Sequence, residues 1–246
     1  MNDLELAEAI ADGAGRILLE LRSTDLFVDK ALGRAGDHVA NAFIMSALRE
    51  HRSDDAVLSE EEQDNVTRLG ARRVWIIDPL DGTREYGEGR ADWAVHVALT
   101  IEGRPVVGAV ALPGVGEVML SRPQALPQLA AKPRLVVSRT RPAQEALLVA
   151  ESLDAELVPM GSAGAKAMAV LRGEAEIYLH TGGQYEWDHC APAAVALAAG
   201  LHASRIDGTP LIYNNQDPYV PDLLICQKQL APQVLTLLKQ HKDKAA

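Results

Sequence analysis

Val74-Trp75-Ile76-Ile77-Asp78-Pro79-Leu80-Asp81-Gly82-Thr83 is the stretch on which the fold and the chemistry both turn. Its first four residues form a short apolar run of the kind that makes a buried strand. The run ends on an acid. Asp78 and Asp81 then stand three residues apart in a tight turn, where Pro79 fixes its own φ and Gly82 opens a conformation closed to other residues. Two converging carboxylates disfavour ionisation unless a cation lies between them. Oxygen ligands of this kind suit Mg²⁺ rather than zinc or copper.

The tripeptide Asp-Gly-Thr is also an ordinary turn signal, and Asp207-Gly208-Thr209 repeats it where a hairpin between two short strands suffices. What sets Asp78 apart is its place after an apolar strand, together with acids elsewhere. Glu60, in Ser59-Glu60-Glu61-Glu62, directly follows Ala56-Val57-Leu58 and can point inward, although an acidic triplet also reads as a solvated helix start. Asp188, in Glu186-Trp187-Asp188, reads equally as the N-cap of an Ala-rich helix, with Pro192 tolerated in its first turn. A capping Asp still keeps one oxygen for a metal. Asp37 reads as another N-cap. Glu60, Asp78, Asp81 and Asp188 together bring four negative charges, which two Mg²⁺ would balance, as two-metal phosphoryl hydrolysis requires.

Outward from this stretch, Leu6, Ile10, Ala14, Ile17, Leu18 and Leu21 share one face of a helix predicted over Leu4–Leu21, capped by Asn2 or Asp3. A second helix is predicted from Asp37 to Glu50, with Val39, Phe43, Ala47 and Leu48 inward. Alternation over Trp93–Ile101 turns at Glu102-Gly103 and returns as Val106–Leu112, with a further strand over Glu117–Ser121. The Pro-containing stretch 121–133 reads as a lobe boundary. Beyond it, strands at Leu135–Ser138, Glu156–Met160, Ala175–His180 and Leu223–Cys226 interleave with helices at Pro142–Ala150, Ala165–Leu171, His189–Ala199 and Leu230–Gln240. The expected architecture is α/β: an α+β lobe over 1–128 carrying most of the acids, then an interleaved α/β lobe over 129–246 carrying Asp188.

Composition narrows the function. The chain has 246 residues, 48% hydrophobic and 24% charged, with an aliphatic core implied by only two Phe. No apolar run is long enough to span a membrane, and Met1-Asn2-Asp3-Leu4-Glu5 lacks a secretory pattern, so a cytoplasmic protein without a membrane partner is expected. A net charge of −10 argues against a nucleic-acid polymer but leaves room for small phosphorylated substrates, since metal ions supply positive charge locally. Cys190 and Cys226 form no CxxC or Cys/His array and are expected to be reduced, without structural zinc. Cys190 falls in a helix's first turn, where the dipole could lower its pKa; the alternative is a buried, inert thiol.

These residues resemble the inositol monophosphatase superfamily and, within it, the CysQ-type 3′(2′),5′-bisphosphate nucleotidases. Trp75 to Thr83 looks like the first signature, Trp187-Asp188-His189-Cys190-Ala191 fits the second, WDxxA, and Leu58-Ser59-Glu60-Glu61 resembles the upstream metal-binding segment. The resemblance spans nearly the whole chain. It implies a layered αβαβα sugar-phosphatase fold, two Mg²⁺ with a third bound more weakly, and inhibition by lithium. It gives one Mg²⁺ to Glu60, Asp78 and the Leu80 carbonyl, and the second to Asp78, Asp81 and Asp188. Thr83, with Asp37 and Glu60, would serve catalysis by orienting the attacking water. Glu60, Leu80, Asp81, Gly82, Thr83, Arg84, Ser162, Lys166 and Asp188 would meet the substrate.

Thr83-Arg84-Glu85-Tyr86 looks like the Thr-(Lys/Arg)-Glu-aromatic of bisphosphate nucleotidases, whereas inositol monophosphatases usually have Asn where Glu85 stands. Gly161-Ser162-Ala163-Gly164-Ala165-Lys166 resembles the segment holding the nucleotide or sugar, although Lys166 reads equally as a surface helix position. His180 stands where relatives often carry Arg, and Gly33-Arg34-Ala35-Gly36 lacks a Thr common in the family. The implied reaction is hydrolysis of the 3′-phosphate of 3′-phosphoadenosine 5′-phosphate to AMP and phosphate, recycling a by-product of sulfur assimilation. Inositol-1-monophosphatase and fructose-1,6-bisphosphatase activities are the alternatives, and a non-catalytic small-molecule binder is a remoter one. A haloacid-dehalogenase-type site needs DxDGT, and the three-residue spacing here does not supply it. A homodimer is left open.

Overall fold

The apolar periodicities fold into five layers. The computed structural model describes residues 1–245. Helix α1 (Asp3–Ser23) buries Leu6, Ile10, Ala14 and Leu18 along one stripe. Its start is closed reciprocally: Glu5 N–H donates to the Asn2 side chain and Asn2 N–H to the Glu5 carboxylate, each at 2.9 Å.

Helix α2 (Asp29–His51) begins well before Asp37, which therefore lies inside the helix and caps nothing. Its buried stripe is Leu32, Gly36, Ala40, Ile44 and Leu48, while Val39 is exposed. Gly33 and Gly36 hid this start, because glycine disfavours helix interiors. They are there for packing. A Cβ on Gly33 would lie 2.5 Å from Thr83 Cγ2, and one on Gly36 2.9 Å from Leu80 Cδ2.

Strands β1 (Ala56–Ser59), β2 (Arg73–Asp81), β3 (Ala94–Ile101), β4 (Arg104–Leu112) and β5 (Glu117–Leu120) form a sheet in sequence order. Only β1 and β2 are parallel, with Ser59 opposite Ile77. After the short helix α3 (Thr83–Gly87), the second sheet has the order β7-β6-β8-β10-β9. Its strands are β6 (Arg134–Ser138), β7 (Glu156–Met160), β8 (Ile177–Tyr185), β9 (His202–Ser204) and β10 (Tyr219–Cys226). The remaining helices are α4 (Gln144–Ser152), α5 (Ala163–Leu171), α6 (Glu186–Ala199) and α7 (Ala231–Ala245).

Side-chain alternation assigns each sheet face to a layer. Trp75 and Ile77 pack against α1 and α2, while Val74 and Ile76 face α5 and α6. In the second sheet, Tyr178 and Ile225 look back toward α5 and α6, and Ile177 and Leu224 look outward to α4 and α7. The order is α1/α2, sheet, α5/α6, sheet, α4/α7: the αβαβα arrangement expected. Gly108 lets α6 lie flush on β4, since a Cβ there would come within 2.6 Å of the Ala191 carbonyl oxygen.

The hairpin predicted at Asp207-Gly208 does not form. β9 ends at Ser204, and its antiparallel partner β10 begins only at Tyr219. Buried polar groups hold the segment between. Glu186 accepts the N–H groups of Asn214 (2.7 Å) and Asn215 (2.8 Å), and Arg68 donates to the Asn215 carbonyl oxygen at 3.0 Å. No helix of the described residues is long and apolar enough to cross a membrane.

Candidate active site

Strand β2 carries its two carboxylates to one place. Its pairing with β3 is irregular between Asp78 and Asp81, so both acids emerge at the same end of the sheet, almost wholly buried. The Asp78 carboxylate accepts Leu80 N–H at 3.0 Å. Gly82 follows at φ +89°, a left-handed conformation that glycine adopts freely, and starts α3. The parallel register of β1 sets Glu60 beside this turn, with its N–H donating to the Ile77 carbonyl oxygen at 3.2 Å. Glu60 is exposed as a residue, yet its carboxylate lies close enough to Asp78 for its charge to raise that acid's pKa.

Asp188 arrives from the other half of the chain. It is not the N-cap of α6: Tyr185 holds that position, and Asp188, the third residue of the helix, accepts Tyr185 N–H at 2.7 Å. One oxygen from each of Asp78, Asp81 and Asp188 lies within 4.8 Å of the others. Glu60 stands outside that trio and joins it through Asp78.

The cluster is strained by its own charge. Burial, followed by the charges of Glu60, Asp81 and Asp188, pushes Asp78 well above the usual carboxylate range. Burial and Asp81 do the same to Asp188. Loss of water at its carboxyl, with Glu61 and Asp81, raises Glu60 to about 7. Asp37 projects from the middle of α2 and is likewise raised to about 7, by burial and then by Glu61 and Glu60. The Thr83 hydroxyl lies 3.4 Å from Asp37 Oδ1 and 3.1 Å from the Leu80 carbonyl oxygen. Buried, mutually repelling hard oxygen donors are the donor set of a site that a divalent cation relieves, so these residues fit a metal.

Asp81 is held by residues distant in sequence. Its Oδ2 accepts Gly164 N–H at 2.6 Å and the Ser162 hydroxyl, and its Oδ1 accepts Ala163 N–H at 3.1 Å, all from the start of α5. His96, fully buried on β3, places Nε2 3.4 Å from Asp81 Oδ2, and its Nδ1–H donates to the Trp187 carbonyl oxygen at 3.0 Å. A Cβ on Gly164 would fall 2.1 Å from that Nε2, so only glycine fits. Sequence reasoning missed His96, which alternates with alanines on a core-facing strand and carries no local signal.

A cleft of about 270 Å³ opens from Asp81 and Asp188 toward a basic wall of Arg139, Arg141 and Lys166. Gly82, Arg84 and Ser162 also line it. Lys166 is no surface residue. It is 5% exposed, donates to the carbonyl oxygens of Gly161 (3.2 Å) and Ser162, and sits 5.5 Å from the Tyr178 ring centre. His180 faces the same cleft, but burial, with Lys166 and Arg141 nearby, lowers its pKa to about 4, so it is neutral at pH 7. The Ser138–Arg141 loop was not anticipated; its only signal was a pair of arginines just past the end of β6.

Cys190 is fully buried, and burial, with Glu186 beside it, raises its thiol well above the usual value. The helix start does not activate it, and it is the inert thiol of the two readings.

Known proteins are similar to this chain in sequence and in fold. The inositol monophosphatase family model matches residues 2–243. A 3′-phosphoadenosine 5′-phosphate phosphatase of Mycobacterium leprae (strain TN) is 47% identical over 98% of this chain and 94% of its own. The 3′(2′),5′-bisphosphate nucleotidase CysQ of Escherichia coli (strain K12) is 32% identical over 76% of this chain and 81% of its own. The crystal structure of CysQ from Bacteroides thetaiotaomicron, a bacterial member of the inositol monophosphatase family, superposes with a TM-score of 0.81 at 25% identity, covering 92% of this chain and 97% of that one. With the acids of β2 and α6 in one buried cluster, the five layers around them and the match running nearly end to end, the chain belongs to the inositol monophosphatase family.

Proposed function

We propose that this chain hydrolyses the 3′-phosphate of 3′-phosphoadenosine 5′-phosphate to AMP and phosphate, with Mg²⁺ as its metal. One observation carries the reading: a single cleft joins Asp81 and Asp188 of the carboxylate trio to a basic wall, as a substrate with two phosphates requires. The names of the 47% and 32% identical relatives point to the same substrate.

Asp78, Asp81 and Asp188, with Glu60 and the Leu80 carbonyl, are the residues that would hold metal. When bound, Mg²⁺ supplies charge neutralisation for the phosphoryl group and a more acidic water. Thr83 and Asp37 form the water-orienting pair. The Thr83 hydroxyl accepts a hydrogen bond from the water while its own proton is passed to Asp37 Oδ1 as the water oxygen attacks phosphorus; the P–O3′ bond breaks on the opposite side, and the departing 3′ oxygen takes its proton from solvent. The amides of Gly82 and Thr83 face the phosphoryl oxygens, where preorganised dipoles stabilise developing charge. Arg141 and Lys166 hold the second phosphate at the far end, and Ser162 and Arg84 flank the ribose.

Phosphate release from 3′-phosphoadenosine 5′-phosphate, inositol 1-phosphate and fructose 1,6-bisphosphate, with Mg²⁺ or with chelator, tests this. The bisphosphate nucleotide is expected to give the highest kcat/KM, and chelator to abolish turnover. Equal activity in chelator would overturn the metal role, and a preference for the inositol ester would overturn the substrate.

A further inference from the structure

Glu85 lies two residues past Thr83, yet its side chain turns to the opposite half of the molecule. It is 8% exposed, and its Oε1 accepts Arg139 Nη2–H at 2.8 Å. The same nitrogen donates to Glu88 Oε2, also at 2.8 Å. The Glu85 stem covers Gly161 so closely that a Cβ there would sit 2.2 Å from Glu85 Cγ. Arg139 N–H in turn donates to the Met160 carbonyl oxygen at 3.2 Å. One acid on α3 therefore pins the ends of both β6 and β7, the two strands that lead into the basic wall.

The two arginines of that wall have different duties. Arg139 is already shared by two carboxylates, and its charge is spent within the protein. Arg141 has no ion-pair partner among the described residues; its N–H closes the loop onto Ser138 Oγ at 3.2 Å, and it lines the cleft. The place where Arg141 stands is thus set by the residue two positions before it.

We propose that Glu85, Arg139 and Glu88 form a positioning clamp that fixes Arg141 in the cleft and so sets affinity for substrates carrying a second phosphate, without touching the reacting phosphoryl group. This rests on the bisphosphate reading above. A buried carboxylate paired with arginine is costly to leave half-made, so Glu85 and Arg139 hold or fail together, while exposed Glu88 adds a weaker contact.

The experiment compares adenosine 3′,5′-bisphosphate with adenosine 3′-phosphate, which lacks only the second phosphate, on wild type, E85Q, R139A and the double variant. Each single variant is expected to raise KM for the bisphosphate about tenfold, the worth of one charge-assisted contact, with kcat and the monophosphate KM held within about twofold. The double variant should be no worse than the worse single, as members of one unit are not additive. Because R139A strands a buried acid, E85Q, which keeps the shape and removes the charge, guards against a mere folding defect. Equal losses on both substrates, or additive KM effects, would overturn the clamp. If wild type gains nothing from the second phosphate, the substrate reading falls and the clamp's consequence with it; if wild type gains and the variants keep that gain, only the clamp falls.

Discussion

Asp81-Gly82-Thr83 and Asp207-Gly208-Thr209 are the same three residues in two different physical situations. Their glycines even share a conformation, at φ +89° and +86°. Asp207 is exposed and solves its hydrogen bonding locally, its Oδ1 accepting Thr209 N–H at 2.9 Å and the Thr209 hydroxyl at 2.6 Å. Asp81 is buried and takes its donors from Ser162, Ala163 and Gly164 on another element. Thr83 bonds Leu80 and Asp37 rather than its own aspartate. The tripeptide specifies a turn; the partners brought by the fold decide whether its acid is left over for chemistry.

The sharpest way to break this comparison is to neutralise each acid in turn. D81N is expected to lower kcat on the preferred phosphate ester at least about a thousandfold, since it removes a charge that only the bound cation was to balance. D207N is expected to stay within about twofold of wild type, as befits an exposed turn. A D207N loss comparable to that of D81N would show the two turns to be equivalent after all.

Titration next separates the acids around the first turn, Asp37 and Glu60, from Asp207, and with opposite signs. In the metal-free fold Asp37 and Glu60 titrate near 7, against 3.8 and 4.5 in the unfolded chain. A carboxyl whose folded pKa is raised contributes stability that is fully present below its unfolded pKa and lost as pH rises through the folded one. The chelated protein is therefore expected to lose Tm steadily between about pH 4 and 7, and Mg²⁺ to flatten that slope by favouring the ionised forms. Asp207 runs the other way. The Thr209 hydroxyl, then the Thr209 amide, lowers its pKa, so its small contribution is present at neutral pH and lost as pH falls below the usual carboxylate value. Melting curves across that range, with and without chelator, read the difference; a chelated Tm that climbs toward pH 7 would contradict the crowding of Asp37 and Glu60 by burial and their acidic neighbours.

Both the legible and the hidden features of the site follow from how far each signal reaches along the chain. The layers were readable because the apolar run of β2 and the alternation in β3 and β4 are local, and Asp78, Glu60 and Asp188 were readable because each borders a strand or helix start. The beginning of α2 was not, because Gly33 and Gly36 answer to Thr83 and Leu80 rather than to helix propensity. Nor was the run from Arg205 to Pro218, whose path is set by Glu186 and Arg68 across the molecule. His96 and Arg139 carry no local signal, because the residues that give them their roles, Asp81 and Glu85, are distant from them in sequence.

The smallest contrast lies in the glycines. Alanine at either position must adopt a left-handed conformation, which costs roughly 1–2 kcal/mol. At Gly208 nothing adds to this, since the nearest atoms to a new Cβ are Leu235 Cδ1 and Cδ2 at 3.6 and 3.9 Å, ordinary contacts. At Gly82 the Cβ would meet Ser162 Cβ at 3.1 Å and Trp93 Cβ at 3.3 Å, tight enough to push α5 away from Asp81. G208A is thus expected to lower Tm by a few degrees, about what 1–2 kcal/mol amounts to in a chain of this size, with kcat/KM intact. G82A should lower Tm somewhat further and also weaken the metal dependence of catalysis, because Ser162 donates to the very carboxylate that would hold the cation. If G82A lost stability but kept wild-type Mg²⁺ dependence, the link from turn conformation through Ser162 to Asp81 would be broken, and the site's distinctness would rest on its charges alone.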